Sequence, residues 1–196
     1  MRQTNHLNTI SLFLLALTFL FTGACKDKPT PKPRGYFRID LPQKKYVKLD
    51  SIEAYSFEYA SPAIISRPER HPDKKNFINI NYPQIKGKVH ISYMNIENNL
   101  TQLMEDSRDL VYKHSVKADA IQERVYERPE DKVYGIMYEI GGNAASSVQF
   151  FMTDSTEHFI RGALYFNATP NKDSLAPLIN YATEDIEHLI ETLHWK

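Results

Sequence analysis

The chain has 196 residues, with 24 Lys and Arg balanced by 24 Asp and Glu, a single Cys and 12% aromatic side chains. No nucleic-acid partner is expected, though balanced bulk charge by itself says nothing of nucleic acid or membrane, and one cysteine excludes a disulfide framework, so a hydrophobic core must hold the fold alone. The length suits one domain of ordinary size, and an excess of Tyr and Phe favours sheet.

Residues 1–9 are polar and carry Arg2, and Ile10 to Phe21 then form an apolar run broken only by Ser11 and Thr18. That run is too short for a membrane span, which needs roughly 20 apolar residues, and it has the length of a secretory signal core. Small residues follow at Thr22, Gly23 and Ala24, and the next residue is Cys25. This order resembles a bacterial lipoprotein signal, with Thr22 where Leu is usual. It predicts removal of residues 1–24, acylation of Cys25 and attachment of the mature chain to a membrane.

Past the cysteine, Pro29, Pro31 and Pro33 alternate through Lys26–Arg34. Proline fixes φ and donates no hydrogen bond, so residues 25–35 form an anchor and an extended spacer. Nine such residues reach roughly 28 Å at about 3.1 Å each. Lys26-Asp27-Lys28 is net positive just after the anchor, whereas surface-export signals in such lipoproteins tend to be acidic there, so the domain is expected in the periplasm. Either membrane of the envelope satisfies that signal. Residues 36–196 form one domain. At its start, Tyr36 and Phe37 are interleaved with Arg34 and Arg38, the residue types that dominate interfaces, and Arg34 to Tyr46 reads as a docking segment for a partner, the alternative being that Tyr36 and Phe37 pack on the protein's own sheet.

Period-two alternation predicts strands at Tyr55–Tyr59, Phe77–Tyr82, Lys88–Ile96, Ile121–Arg128, Lys132–Ile140, Ser147–Thr153 and His158–Ala168, with turns in ERPEDK, GGNAAS and TDSTE. Two segments have helical period. Leu100, Leu103, Met104, Leu110, Val111 and His114 follow the capping pair Asn98-Asn99. Leu175, Leu178, Ile179, Ala182, Ile186, Leu189, Ile190 and Leu193 form a stronger stripe, with Asp173 or Ser174 as cap and Pro177 in the first turn. The expected fold class is α+β: an antiparallel sheet of about six or seven strands packed with two main helices.

No nucleophile elbow, P-loop or zinc-protease motif is present, so no catalytic residue, cofactor or metal is predicted. Glu184 and His188 share a helical face and would need a third ligand to hold zinc; with Asp185, Glu187 and Glu191 they read as a charged outer face. In SRPERHPDKKN, His71 and Asp73 lie in a proline-bracketed loop where a His and a carboxylate could meet. That loop carries the alternative reading, a periplasmic ligand-binding module or hydrolase.

PKPRGYFRIDLPQKKY, Pro31 to Tyr46, resembles the segment after the spacer in the GldD family of gliding-motility lipoproteins of Bacteroidota, and the lipoprotein start and C-terminal layout are similar. The resemblance implies a non-enzymatic envelope lipoprotein required for gliding and linked to the type IX secretion machinery, with other gliding and secretion envelope lipoproteins as partners. It carries over no catalytic residues. The order of strands and helices is also similar to the Mog1/PsbP-like fold, an analogy of pattern alone.

Overall fold

The computed structural model describes residues 40–113 and 118–196. The expected signal, Cys25, the spacer and the candidate docking residues Arg34, Tyr36, Phe37 and Arg38 lie outside the described residues, as does His114.

Strand periodicity becomes two antiparallel sheets. The short β1 (Tyr46–Leu49), β2 (Tyr55–Ala60) and β10 (His194–Trp195) form one, in the order β1-β2-β10. The main sheet has seven strands: β3 (Ile64–Ser66), β4 (Ile78–Tyr82), β5 (Gly87–Asn95), β6 (Ala118–Arg128), β7 (Val133–Gly142), β8 (Ser146–Thr153) and β9 (His158–Phe166). Their order is β3-β4-β5-β9-β8-β7-β6, so the hairpin of β8 and β9 inserts β9 beside β5. Helices α1 (Leu100–Lys113) and α2 (Lys172–Glu191) complete an α+β fold.

Two hairpins share one turn chemistry. Pro83–Ile85 and Pro129–Asp131 each form a single 3-10 turn, and each is closed by a lysine in the left-handed region, Lys86 at φ 52° and Lys132 at φ 53°. Proline starts such a turn at no cost, because its missing N–H would have no partner there.

One face of the main sheet carries Ile78, Ile80, Val89, Ile91, Met137, Val148, Phe150, Met152, Ile160 and Leu164, all buried. α2 covers this face with Ala182, Ile186, Leu189 and Ile190, packing on β2 and β8. Each fully buried Ile or Leu contributes about 1.5–3 kcal/mol of transfer free energy. α1 packs on β8 from the other side through a second cluster of Val111, Tyr138, Ile140, Phe151 and Phe159. Every residue of β8 is therefore buried.

Several local expectations are corrected. α1 is held by a narrower line than the sequence suggests: Leu100, Leu103, Ser107 and Val111 meet the sheet, while Met104 and Leu110 are exposed flanks. The Asn99 side chain does not cap α1 but turns back to accept from the Glu97 N–H at 2.8 Å. α2 begins earlier than read, capped by Asn171 Oδ1, which accepts from the Ser174 N–H at 3.2 Å. Pro177 consequently falls in the second turn, where the Asp173 carbonyl loses its usual donor. Leu193 lies beyond the helix end and is still fully buried.

Candidate functional site

Two constellations of polar side chains stand out from the apolar packing. The first joins residues 41–46 to α2. Lys44 Nζ lies 2.9 Å from Asp185 Oδ1 and 2.9 Å from Glu184 Oε2, donates to the Tyr181 carbonyl at 2.7 Å, and sits 4.1 Å from the Tyr181 ring centroid. Tyr46 donates to Asp185 at 3.1 Å, and its ring stacks on His188 at 3.7 Å. Tyr181 in turn donates to the Pro42 carbonyl at 3.1 Å. The described end of the Arg34–Tyr46 segment thus docks on the protein's own helix.

This network overturns one reading of α2. Asp185 was expected on a charged outer face and is instead only 2% exposed. Burial pushes its carboxyl above the usual range, against the opposing hydrogen bonds from Lys44 and Tyr46. Burial disfavours the Lys44 ammonium too, yet Asp185 and Glu184 outweigh it and hold Lys44 above its ordinary value. Glu184 and His188 are drawn to different partners: His188 Nε2 meets Glu58 Oε2 at 2.8 Å, while Glu184 meets Lys44. Among the described residues no group of three or more His, Cys, Asp or Glu is placed to hold a metal ion.

The second constellation is a cleft on the half of the main sheet that α1 leaves uncovered. Register explains its floor. Asn79 pairs with His90, His90 with Ala163 and Ala163 with Gln149, one row across β4, β5, β9 and β8. Lys88 pairs with Tyr165 and Ser92 with Arg161 in the neighbouring rows. These positions alternate with the buried apolar ones on the same strands, so a polar face is the necessary complement of the core.

The wall is the loop between β3 and β4, running from Arg67 to Phe77. Arg67 donates to the Lys75 carbonyl across its base, and Tyr55 pins it by donating to the Asn76 carbonyl at 2.8 Å. Successive turns within it are closed by His71 N–H to Pro68 and Lys74 N–H to His71. His71 is exposed, edge-on to Phe77 at 6.0 Å, and it lines the cleft with Arg67, Arg70, Lys88, His90 and Arg161. Asp73 does not join it: that carboxylate borders a separate depression with Lys74, Lys75 and Tyr93. His71 and Asp73, which the sequence allowed to meet, therefore line separate depressions.

The cleft measures about 890 Å³, and its single lining carboxylate among the described residues is Glu69. Arg161 donates through Nη2 to Gln149 Oε1 at 2.5 Å, and no carboxylate pairs with it among the described residues. Burial lowers its pKa from the ordinary arginine value, with Tyr165 acting the other way. The His90 Nδ1 contacts Asn79 Oδ1 at 2.7 Å, which fixes the proton on that nitrogen because the amide oxygen only accepts. Partial burial and the Lys88 charge hold His90 below the usual histidine value. Sequence reasoning found His71 and missed Lys88, His90 and Arg161. The available signal was the Asn alternation in FININY, which marks one polar sheet face.

A model of the family described as gliding motility lipoprotein GldD matches residues 26–195. No curated protein matches the chain. Among solved structures the chain is similar to the solution structure of cyanobacterial PsbP (CyanoP) from Synechocystis sp. PCC 6803, with a TM-score of 0.49 and 10% identity, over 86% of this chain and 100% of that one. No helix among the described residues is long and apolar enough to cross a membrane.

Proposed function

Because the chain belongs to the gliding motility lipoprotein GldD family, we propose that it is a non-enzymatic component of the cell envelope that supports assembly or stability of the gliding and type IX secretion machinery. The observation that carries this reading is the extent of the family match, which begins at the residue after Cys25 and runs through almost all of the domain. Cys25 is acylated after removal of residues 1–24 and attaches the chain to the membrane. The domain lies in the periplasm, consistent with the net positive Lys26-Asp27-Lys28. Arg34, Tyr36, Phe37 and Arg38 contact another envelope lipoprotein of the machinery.

The docking of Leu41 to Tyr46 on α2 supports this division of labour. Fixing one end of a binding segment to a folded domain lowers the ordering cost of what that segment binds.

The test is cross-linking in living cells with identification of the captured proteins, alongside immunoblots of the machinery's lipoproteins in a strain lacking this protein. Capture of a gliding or secretion lipoprotein, together with its depletion in the null strain, is the expected outcome. Normal gliding and unchanged abundance in that strain would refute the proposal. A Cys25→Ser protein that still fractionates with membranes would refute the anchor.

A further inference from the structure

The cleft beneath the Arg67–His71 loop has a charge imbalance that the fold itself does not need. Arg67, Arg70, Lys88 and Arg161 line it, with Glu69 as the only acid among the described residues, in a chain whose basic and acidic residues cancel overall. Cations gathered in a concavity repel one another and raise the free energy of the empty protein, a cost that an anionic ligand removes. Elsewhere on this protein, partly buried cations are paired: Lys44 with Asp185 and Glu184, Arg128 with Asp131. Arg161 instead has a neutral amide for a partner, which holds one edge of the guanidinium without neutralising it.

We propose that this cleft binds a phosphorylated small molecule, with Arg161 and Lys88 on the floor and Arg70 on the loop taking the phosphate oxygens. Size and charge select the class. About 890 Å³ lies within the range of small-molecule sites and far exceeds one inorganic anion, so the charged group is carried on a larger polar body. A lone carboxylate offers one charge to four cations. A phosphomonoester or pyrophosphate offers two or more, with several terminal oxygens for the planar arginine forks and the lysine point charge. A duplex or strand of nucleic acid would need a basic stripe continuing beyond the cleft. Here the next sheet rows toward α1 are Tyr138, Phe151 and Phe159, buried and apolar. The remaining floor is polar and aromatic, with the Tyr165 and His90 rings edge to face at 5.7 Å and Asn79 beside them, groups that suit a hydroxylated body such as a sugar or glycerol.

The assay is calorimetric titration of the purified full chain in detergent with inorganic pyrophosphate, followed by competition with glucose 6-phosphate and with short-chain phosphatidic acid, a lipid whose headgroup is a phosphomonoester. Saturable binding with a Kd below about 1 mM is expected. Arg161→Gln and Lys88→Gln should each weaken it on the order of tenfold to a hundredfold, the loss of one charge-assisted contact. Arg70→Gln changes an exposed loop residue, leaves the fold intact and should weaken it in the same direction. Arg124→Gln, on a different sheet face, should leave it unchanged. Competition by the sugar phosphate points to a soluble phosphoester, and competition by the phosphatidic acid points to a lipid source. The proposal is overturned by the absence of saturable binding, or by binding that survives both Arg161→Gln and Arg70→Gln at wild-type strength.

Discussion

Lys44 Nζ and Asp185 Oδ1 stand 2.9 Å apart, across 140 residues of chain, and their side chains are 15% and 1% exposed. This ion pair fastens the segment around Lys44 to the middle of α2. A buried pair of this kind adds little compared with a well-packed apolar pair, but removing one partner leaves an uncompensated charge.

The two halves of the pair should therefore respond unequally. Lys44→Met strands the Asp185 carboxylate and is expected to cost about 3 kcal/mol at pH 7. The folded pKa of Asp185 is already raised by burial and would rise further in the variant, so acid protonates the stranded group and the deficit relative to wild type narrows toward pH 4. Asp185→Asn keeps a neutral group where burial already favours one, and should cost under about 1 kcal/mol. Chemical denaturation at pH 7 and pH 4.5 reads both. An equal deficit for Lys44→Met at the two pH values would show that packing, not charge, is lost.

Tyr36 and Phe37 precede this fastened segment, and their proposed role is contact with a partner. Tyr36→Ala combined with Phe37→Ala should abolish gliding while the melting temperature barely moves. Truncating a buried aromatic costs about 3–5 kcal/mol, so a fall of many degrees would assign both rings to the protein's own core.

Gly162 is paired with Phe150 across β9 and β8, and a Cβ built on it would stand 2.1 Å from the Phe150 ring, which is 1% exposed. Gly162→Ala is expected to lose about 2–3 kcal/mol through overpacking and to lower Tm by roughly 5–10 °C. Adding Phe150→Leu should recover part of that loss in a double-mutant cycle, because the smaller side chain vacates the collision. Additive losses would disprove the steric account.

The turn between β8 and β9 is organised by Asp154, whose Oδ1 accepts from the N–H groups of Thr156, Glu157 and His158 at 2.8–3.0 Å. Burial alone would raise its pKa, and these bonds outweigh it, bringing the carboxyl down to about 2. Its stabilisation is complete above the unfolded carboxylate value of about 4 and disappears as pH falls toward about 2. Asp154→Asn should cost about 1 kcal/mol at pH 7, allowing for solvent screening, and nothing near pH 2. Acid titration of stability would reveal parallel curves for the two proteins if the charge were irrelevant.

Local rules made the frame legible. The alternation in FININY and the stripe from Ala182 to Ile190 each report one buried face, and burial of such a face is decided by spacing within a few residues. The strands β1, β3 and β10 were not legible, because runs of 4, 3 and 2 residues have no period of their own and exist only through the partner they pair with. Asp185 gave no sign of burial either: its position one residue from the apolar stripe suits a solvent-facing carboxylate until Lys44 arrives from the far end of the chain.

The family segment and the sheet-forming segments were thus written in short stretches of sequence. The cleft was not, because His90 and Arg161 become neighbours only when β9 enters the sheet between β5 and β8. Strand order is selected by the summed burial of both faces over the whole sheet, a long-range quantity that no single segment carries.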